Sequence, residues 1–574
     1  MRRPLLLVLL LTGFLPGCRP AERKDAGAPL SRGVVVAPEP VAAEVGARIL
    51  RRGGNAVDAA VAVQFALAVT TPLAGNVGGG GFAVLYDPSS EQIHALDYRE
   101  TAPLAAHPDL FLDASGELVA DLNLYSHLAA GVPGTVHGMW ELHQSFGSLP
   151  WTELLGPAIE LAAAGWTLDE YTASEVRQVR ERYAEIDASL RKHINFDDYF
   201  HDQAGQPLVQ TELAETLRRI ASDGPVGFYR GETAQLIVEE MRRGNGVITL
   251  EDLRGYRSVW RQVVEGRYQG LRVASMPPPS SGGAALIEML NMFELFERPP
   301  WHSARHLHLV AEIEKRVFAD RAEHLGDPDF FEVPLGMLID ESYARDRAEG
   351  IRIDVKTDPS TISAGALASL TSEGPHTCHF SIVDRQGMSV ANTTSINRFF
   401  GSGIVVRGAG FLLNNHMDDF SAKPGVPNVY CVTGGEANKI EPGKRMLSSM
   451  SPTIVFDQKN EPWLVLGSPG GPTIFTSVFQ VIVNRVDYDM SLEEAVLAPR
   501  FHHQWPPPSP DRDPIVVEAK APFRLPDPLV EQLRSYGYDI ETRATIGSVQ
   551  AIEINDSGPI GVADARRNAA ATYE

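Results

Sequence analysis

The chain is poor in the features that mark several function classes. It has only three cysteines in 574 residues, Cys18, Cys378 and Cys431. If Cys18 is removed or lipidated, at most one disulfide can form, so this is not a disulfide scaffold. Basic residues are in deficit: 51 Lys and Arg stand against 73 Asp and Glu, a formal net charge of −22. That balance argues against nucleic acid as a partner, because a binder must neutralise phosphates. No apolar run reaches the about 20 residues that a membrane-spanning helix needs. The glycines Gly78 to Gly81 are not followed by Gly-Lys-Ser/Thr, so they do not form a phosphate-binding P-loop. Internal repeats and low-complexity tracts are absent. What is present, 44% hydrophobic and 22% charged residues, is the composition of a globular protein with a large core.

At the N-terminus, Arg2 and Arg3 precede an apolar run from Leu5 to Leu11 that extends through Leu15. This fits the h-region of an export signal. Its end, L-P-G-C at 15–18, resembles a bacterial lipoprotein signal with Cys18 as the lipidated residue, although Pro16 replaces the usual small residue. The expectation is an export signal over 1–18, a disordered tether over 19–31, and a periplasmic or membrane-anchored protein whose membrane contact is a lipid anchor. Length alone suggests three to four domains, but no linker divides the chain after residue 31, and a single large domain is expected.

Along that domain, an apolar stretch from Gly33 to Ala37 leads into a helix carrying Val41, Val45 and Ile49. Asn55 is placed to cap a second helix. Phe82 to Tyr86 reads as a strand. The middle, from about Ala129 to Asp327, reads as mostly helical, interrupted by a rigid Pro-rich turn at 276–283. Strand-like runs dominate from Thr377 to Gly467, and a helix follows from about Thr473 to Val486. The pattern predicts an α+β or layered α/β domain.

The most reactive lettering is G-P-H-T-C-H at 374–379. His379 to Asp384 and Met388 to Ile396 read as the two strands of a hairpin. With a three-residue loop, Thr377 lies across from Ser395; with a two-residue loop, Thr394 takes that place. Either neighbour would put a second hydroxyl about 5 Å away, Cβ to Cβ. A threonine hydroxyl needs a base. A chain cut just before it supplies one, because a free α-amine titrates at about 7.7–8.0.

This segment, H-T-C-H-F-S-I-V-D, resembles the processing site of the γ-glutamyltransferase (glutathione hydrolase) family. The likeness extends to D-Y-R-E-T-A-P at 97–103, N-V-G-G-G-G-F, M-P-P-P-S-S-G-G, F-G-S-G at 400–403 and L-L-N-N-H-M-D-D-F-S at 412–421. It continues through S-S-M-S-P-T at 448–453, G-S-P-G-G at 467–471 and A-P-R-F-H-H-Q-W at 498–505. The resemblance covers essentially the whole chain after the leader. It implies a four-layer αββα sandwich of the N-terminal-nucleophile type. It also implies a precursor that cuts itself between His376 and Thr377 into a large subunit (32–376) and a small subunit (377–574), which stay associated as a heterodimer.

The same resemblance assigns roles. Thr377 is the nucleophile and Ser395 its hydroxyl partner, a position where the family commonly has Thr. Gly470 and Gly471 form the oxyanion hole. Arg99, Ser448 and Ser449 bind the α-carboxylate of a γ-glutamyl group. Asn397 and Asp419 bind its α-ammonium, with His416 nearby in place of the usual Gln or Glu. Tyr430 sits on a lid loop that gates the pocket against Asn397. Arg398 and Phe399, bulkier than usual, would alter acceptor access. The implied substrates are glutathione and other γ-glutamyl compounds, with water, amino acids or peptides as acceptors. No cofactor and no metal are implied.

Other readings compete for the same letters. A zinc site from His376, Cys378 and His379 lacks a paired ligand motif. A thiol hydrolase at Cys378 lacks a histidine on the same strand face, since His379 points the other way. His502 and His503 look like a metal pair, but neighbours on a strand face opposite sides, and they read as structural. Within the fold, a cephalosporin (glutaryl) acylase is the alternative enzyme. A non-catalytic lipoprotein that binds glutamyl peptides is the alternative of another class.

Overall fold

Alternating buried and paired residues build two large sheets, described here from a computed structural model covering residues 30–363, 377–423, 428, 434–507 and 512–574. The first sheet has the order β18 (Ala570–Tyr573), β1 (Val34–Ala37), β9 (Thr377–Val383), β10 (Ser389–Ser395), β2 (Gly80–Asp87), β3 (Gln92–Asp97), β6 (Val259–Arg261), with neighbours antiparallel. The second has the order β17 (Gly558–Ala563), β16 (Gln550–Asn555), β12 (Pro462–Gly467), β11 (Thr453–Phe456), β8 (Leu271–Ser275), β7 (Val264–Tyr268). A small sheet of β13 (Phe501–His503), β14 (Pro514–Glu518) and β15 (Asp539–Arg543) and a ribbon of β4 (Trp166–Thr167) with β5 (Pro207–Leu208) complete the strands.

Strand alternation divides the core. Val34, Val36, Phe82 and Val84 of the first sheet share one apolar cluster with Ala274, Ile454, Val465 and Ile552 of the second. The intervening residues Val35, Leu85, Phe380, Ile382 and Val390 pack instead with the helices Pro40–Arg51 and Ala56–Thr70. The latter helix is buried along all its residues, so it needs apolar side chains all round. Its start is fixed by the expected cap: Asn55 accepts from Asp58 N, and the Asp58 carboxylate returns a bond to Asn55 N. On the far face of the second sheet, Val273, Val455, Leu464 and Leu466 meet the helices Gly282–Glu294, Ala304–His324 and Thr473–Asp487.

Two expectations need correction. Besides the short ribbon of β4 and β5, the helical middle contains the sheet strands β6 to β8; their charged, half-exposed alternation (V-W-R, V-E-G-R-Y, L-R-V-A-S) obscured them. Conversely, among the described residues between Ser395 and Thr453, only isolated bridges and short 3-10 turns occur instead of continuous strands. Asn397, Phe400, Gly401, Gly403, Gly408 and Gly410 all have positive φ there, which breaks the extended conformation.

Candidate active site

The hairpin of β9 and β10 closes as its loop predicts: Asp384 N donates to Met388 O at 3.0 Å. The register then pairs Thr377 with Ser395 at the opposite end. Ser395 is therefore the neighbour, and Thr394 faces Cys378. The Ser395 hydroxyl accepts from Asn397 N at 2.9 Å. Asn397 occupies the left-handed region, φ 73°, which asparagine tolerates better than most residues. Its side-chain amide donates to Asn415 O at 2.9 Å.

Two neighbours from the N-V-G-G-G-G-F stretch, given no individual role from the sequence, hold this strand end. The Asn76 amide donates to Ser395 O at 3.1 Å, while its oxygen accepts from Gly79 N at 3.0 Å. Gly79 must lack a side chain, because a Cβ there would stand 2.1 Å from Ser395 O. The glycine run noted in the sequence is thus a close backbone approach to the hydroxyl pair.

Thr377, Ser395, Asn397, Arg99, His416, Asp419, Ser448, Ser449 and Gly471 line one small cavity, of about 30 Å³. Gly470 directly precedes Gly471 in the turn from β12 into the helix Thr473–Asp487. Arg99 is 1% exposed and forms an ion pair with Asp419 through Nη2. Its Nε donates to Met446 O at 3.3 Å, and its Nη1 makes no hydrogen bond, lying 3.7 Å from the Glu100 carboxylate. Glu100 in turn bonds His416 Nδ1 at 2.8 Å. His416 therefore stands in the cavity wall, oriented by a buried carboxylate.

Both paired serines accept a hydrogen bond through Oγ. Ser448 Oγ accepts from Met450 N at 3.1 Å, and Ser449 Oγ accepts from Arg321 Nη2 at 3.3 Å. Arg321 also lines the cavity, and nothing in the sequence pattern singled it out. Tyr430, His376 and Cys18 lie outside the described residues.

The competing groups are buried away from such chemistry. Cys378 belongs to an apolar cluster, and burial pushes its thiol up to about 12. His379 sits between Thr393 Oγ1 (2.8 Å) and Ser381 Oγ (3.1 Å), and burial pushes it down to about 3. His503 bonds Asp513 at 2.6 Å, whereas His502 contacts Thr476 and Gln504. Arg398 and Phe399, expected to affect acceptor access, are 3% and 4% exposed. The Arg398 guanidinium lies 5.7 Å from the Tyr125 ring and the Arg567 guanidinium 5.5 Å from the Phe399 ring, so both side chains are packed inward.

Solved structures of the N-terminal-nucleophile type share this α/β fold. A cephalosporin acylase from Bacillus halodurans superposes with a TM-score of 0.80 at 26% identity, over 98% of this chain and 99% of that one. A gamma-glutamyltranspeptidase chain from Pseudomonas nitroreducens superposes with a TM-score of 0.54 at 43% identity, over 59% of this chain and 98% of that one. A glutathione hydrolase proenzyme from Pseudomonas aeruginosa is 48% identical over 534 residues, 92% of each chain. The gamma-glutamyltranspeptidase family model matches residues 42–573, and the chain belongs to that family.

Proposed function

We propose that this chain is a self-processing γ-glutamyltransferase and glutathione hydrolase. The observation that carries the reading is the register of one hairpin. It sets Thr377, the first residue of β9, opposite Ser395 in a cavity whose wall also holds Arg99, Asp419, Ser448 and Ser449.

Cleavage between His376 and Thr377 frees an α-amine beside the Thr377 hydroxyl. That amine takes the hydroxyl proton as Oγ attacks the γ-glutamyl carbonyl. Backbone N–H groups at Gly470 and Gly471 face the developing oxyanion. The amide C–N bond breaks, the proton passes to the leaving amine, and a γ-glutamyl ester remains on Thr377. Water, or the amine of an amino acid or peptide, attacks that ester with the same α-amine as base and restores the hydroxyl.

The Arg99–Asp419 pair explains the choice of headgroup. An amino acid end brings one carboxylate and one ammonium, so it can replace each partner of the pair with an equivalent charge. Arg99, Ser448 and Ser449 take the carboxylate; Asp419 and Asn397 take the ammonium, with His416 beside them and Tyr430 closing over. The match of a solved relative's chain to only part of this one supports a two-subunit heterodimer, 32–376 with 377–574. The division of the apolar clusters supports a four-layer αββα sandwich. Residues 1–18 as an export signal lipidated at Cys18, a tether over 19–31 and a periplasmic or membrane-anchored location complete the reading. Mass spectrometry of the mature N-terminus tests that part.

Denaturing electrophoresis with N-terminal sequencing tests the core of the reading. Two bands are expected, the smaller beginning at Thr377, and Thr377→Ala should stay uncut and inactive. A single chain in the wild type, or a cut elsewhere, sinks the mechanism. The full-length likeness to a cephalosporin acylase keeps one second reading. Comparing γ-glutamyl with glutaryl anilides separates the two, and faster cleavage of the glutaryl amide would favour the acylase.

A further inference from the structure

Arg321 is an unusual group for this cavity wall. It projects from the helix Ala304–His324, is 6% exposed, and has no carboxylate within ion-pair distance among the described residues. Its bonds go to two hydroxyls: Nε donates to Ser281 Oγ at 3.0 Å and Nη2 to Ser449 Oγ at 3.3 Å. Ser281 passes the link on, since its hydroxyl and its backbone N–H donate to Ser448 O at 2.7 and 2.8 Å. Burial lowers the guanidinium to about 10, with Asp419 opposing the shift, so it stays charged at neutral pH. A buried cation whose nearby carboxylate, Asp419, is already paired with Arg99 is costly, and an anion entering the cavity relieves that cost.

The hydroxyl directions agree. Ser449 Oγ accepts from Arg321 and Ser448 Oγ from Met450 N. Neither hydroxyl donates to a protein acceptor among the described residues, so both protons are free for a ligand. Charge bookkeeping points the same way. Arg99 shares its charge with Asp419 and Glu100, and Arg321 adds a second cation to the wall that receives the carboxylate.

We propose that Arg321 is a specificity-determining positioning residue, which aims the Ser449 hydroxyl at the donor's α-carboxylate and supplies the charge that makes a carboxylate-bearing donor preferred. The inference rests on the γ-glutamyl reading above and deepens it.

The test uses two donors with one leaving group: γ-glutamyl p-nitroanilide and the same anilide with its α-carboxylate converted to a carboxamide. Cleaved wild type, Arg321→Gln and Arg321→Lys are compared on both. Arg321→Gln should lower kcat/KM for the carboxylate donor by about ten- to a hundredfold, mostly through KM. The carboxamide donor should change by less than about threefold. Arg321→Lys, which keeps the charge and loses the fork, should fall between. Equal losses on both donors, or no loss on either, overturn the role of Arg321 while leaving the γ-glutamyl reading intact. A wild type inactive on γ-glutamyl p-nitroanilide overturns that reading and this inference with it. Should Arg321→Gln fail to fold or cleave, Arg321→Lys decides: a loss confined to the carboxylate donor supports the proposal, and an equal loss on both overturns it.

Discussion

Replacing Gly470 by alanine should damage catalysis more than stability, and both costs can be worked from the turn. Gly470 has φ 145°, a region essentially reserved for glycine, so a side chain there costs about 1–3 kcal/mol in backbone strain. The new Cβ would also stand 2.3 Å from Thr473 Oγ1. That hydroxyl is buried and donates to Gly470 O at 2.9 Å. Swinging it aside breaks a bond worth about 1 kcal/mol. The total, about 2–4 kcal/mol, lowers the melting temperature by only about 2–4 °C in a chain of this size. The turn must move to relieve either strain, and it carries the proposed oxyanion donors. Losing one such donor costs about a hundred- to a thousandfold in kcat. The assay is aniline release from γ-glutamyl p-nitroanilide by cleaved enzyme, beside a thermal melt. A double variant, Gly470→Ala with Thr473→Ala, separates the two causes: it removes the clash but not the φ strain, so stability should partly recover while kcat stays low. A Gly470→Ala enzyme with wild-type kcat and melting temperature refutes both the strain argument and the placement of the oxyanion hole.

Three further outcomes follow from the same geometry. Cys378 should resist iodoacetamide in the native protein at pH 8 and react fully in guanidinium, read by peptide mass spectrometry, because burial holds its thiol near 12; native labelling contradicts the burial. Ser395→Ala strands the buried Asn397 N–H, which donates to Ser395 Oγ at 2.9 Å, at a cost of about 1–3 kcal/mol. It should slow appearance of the small subunit on gels, whereas Ser395→Thr should process normally; equal processing in both variants removes the hydroxyl from the mechanism. Asp384 at the hairpin loop is pushed up to about 6 by burial, against bonds from Ala56, Met388 and Gln386 N–H groups. A raised folded pKa contributes stability that is complete below the unfolded value of about 3.9 and is lost as pH rises through 6. Between pH 4 and pH 7 the wild type should therefore lose about 2 kcal/mol relative to Asp384→Asn in urea titrations, and a pH-independent difference argues against that burial.

Local structure was legible where it depended on neighbours in sequence. The cap at Asn55, the helix near Thr473 and the hairpin at 377–395 each follow from a few adjacent residues. The sheet order was not legible. The C-terminal strand β18 pairs with β1 near the other end of the described chain, and Glu574 N bonds Gly33 O at 3.0 Å. No periodicity encodes such a partner, because each strand's alternation specifies a face and not a neighbour. Strands β6 to β8 were lost to exposed charge, and the 396–452 region to glycine and asparagine at positive φ.

The candidate site divides along the same line. The hydroxyl pair Thr377 and Ser395 could be reached by counting across one hairpin, because the loop length fixes the register. The remaining groups arrive from separate stretches of chain and meet only in the folded state. Arg99 and Glu100 follow β3, Asp419 and His416 lie in a turn more than three hundred residues later, and Arg321 comes from a helix of the opposite sheet. Motif resemblance supplied most of these, and it did so in short blocks with a dense pattern of glycine, asparagine and serine. Arg321 lies in a helix whose lettering reads as ordinary amphipathic sequence, and its use becomes visible only through the two hydroxyls it holds. The general point is physical. A buried charge is recognised by what fails to neutralise it, and that property belongs to the assembled cavity, not to any segment that builds it.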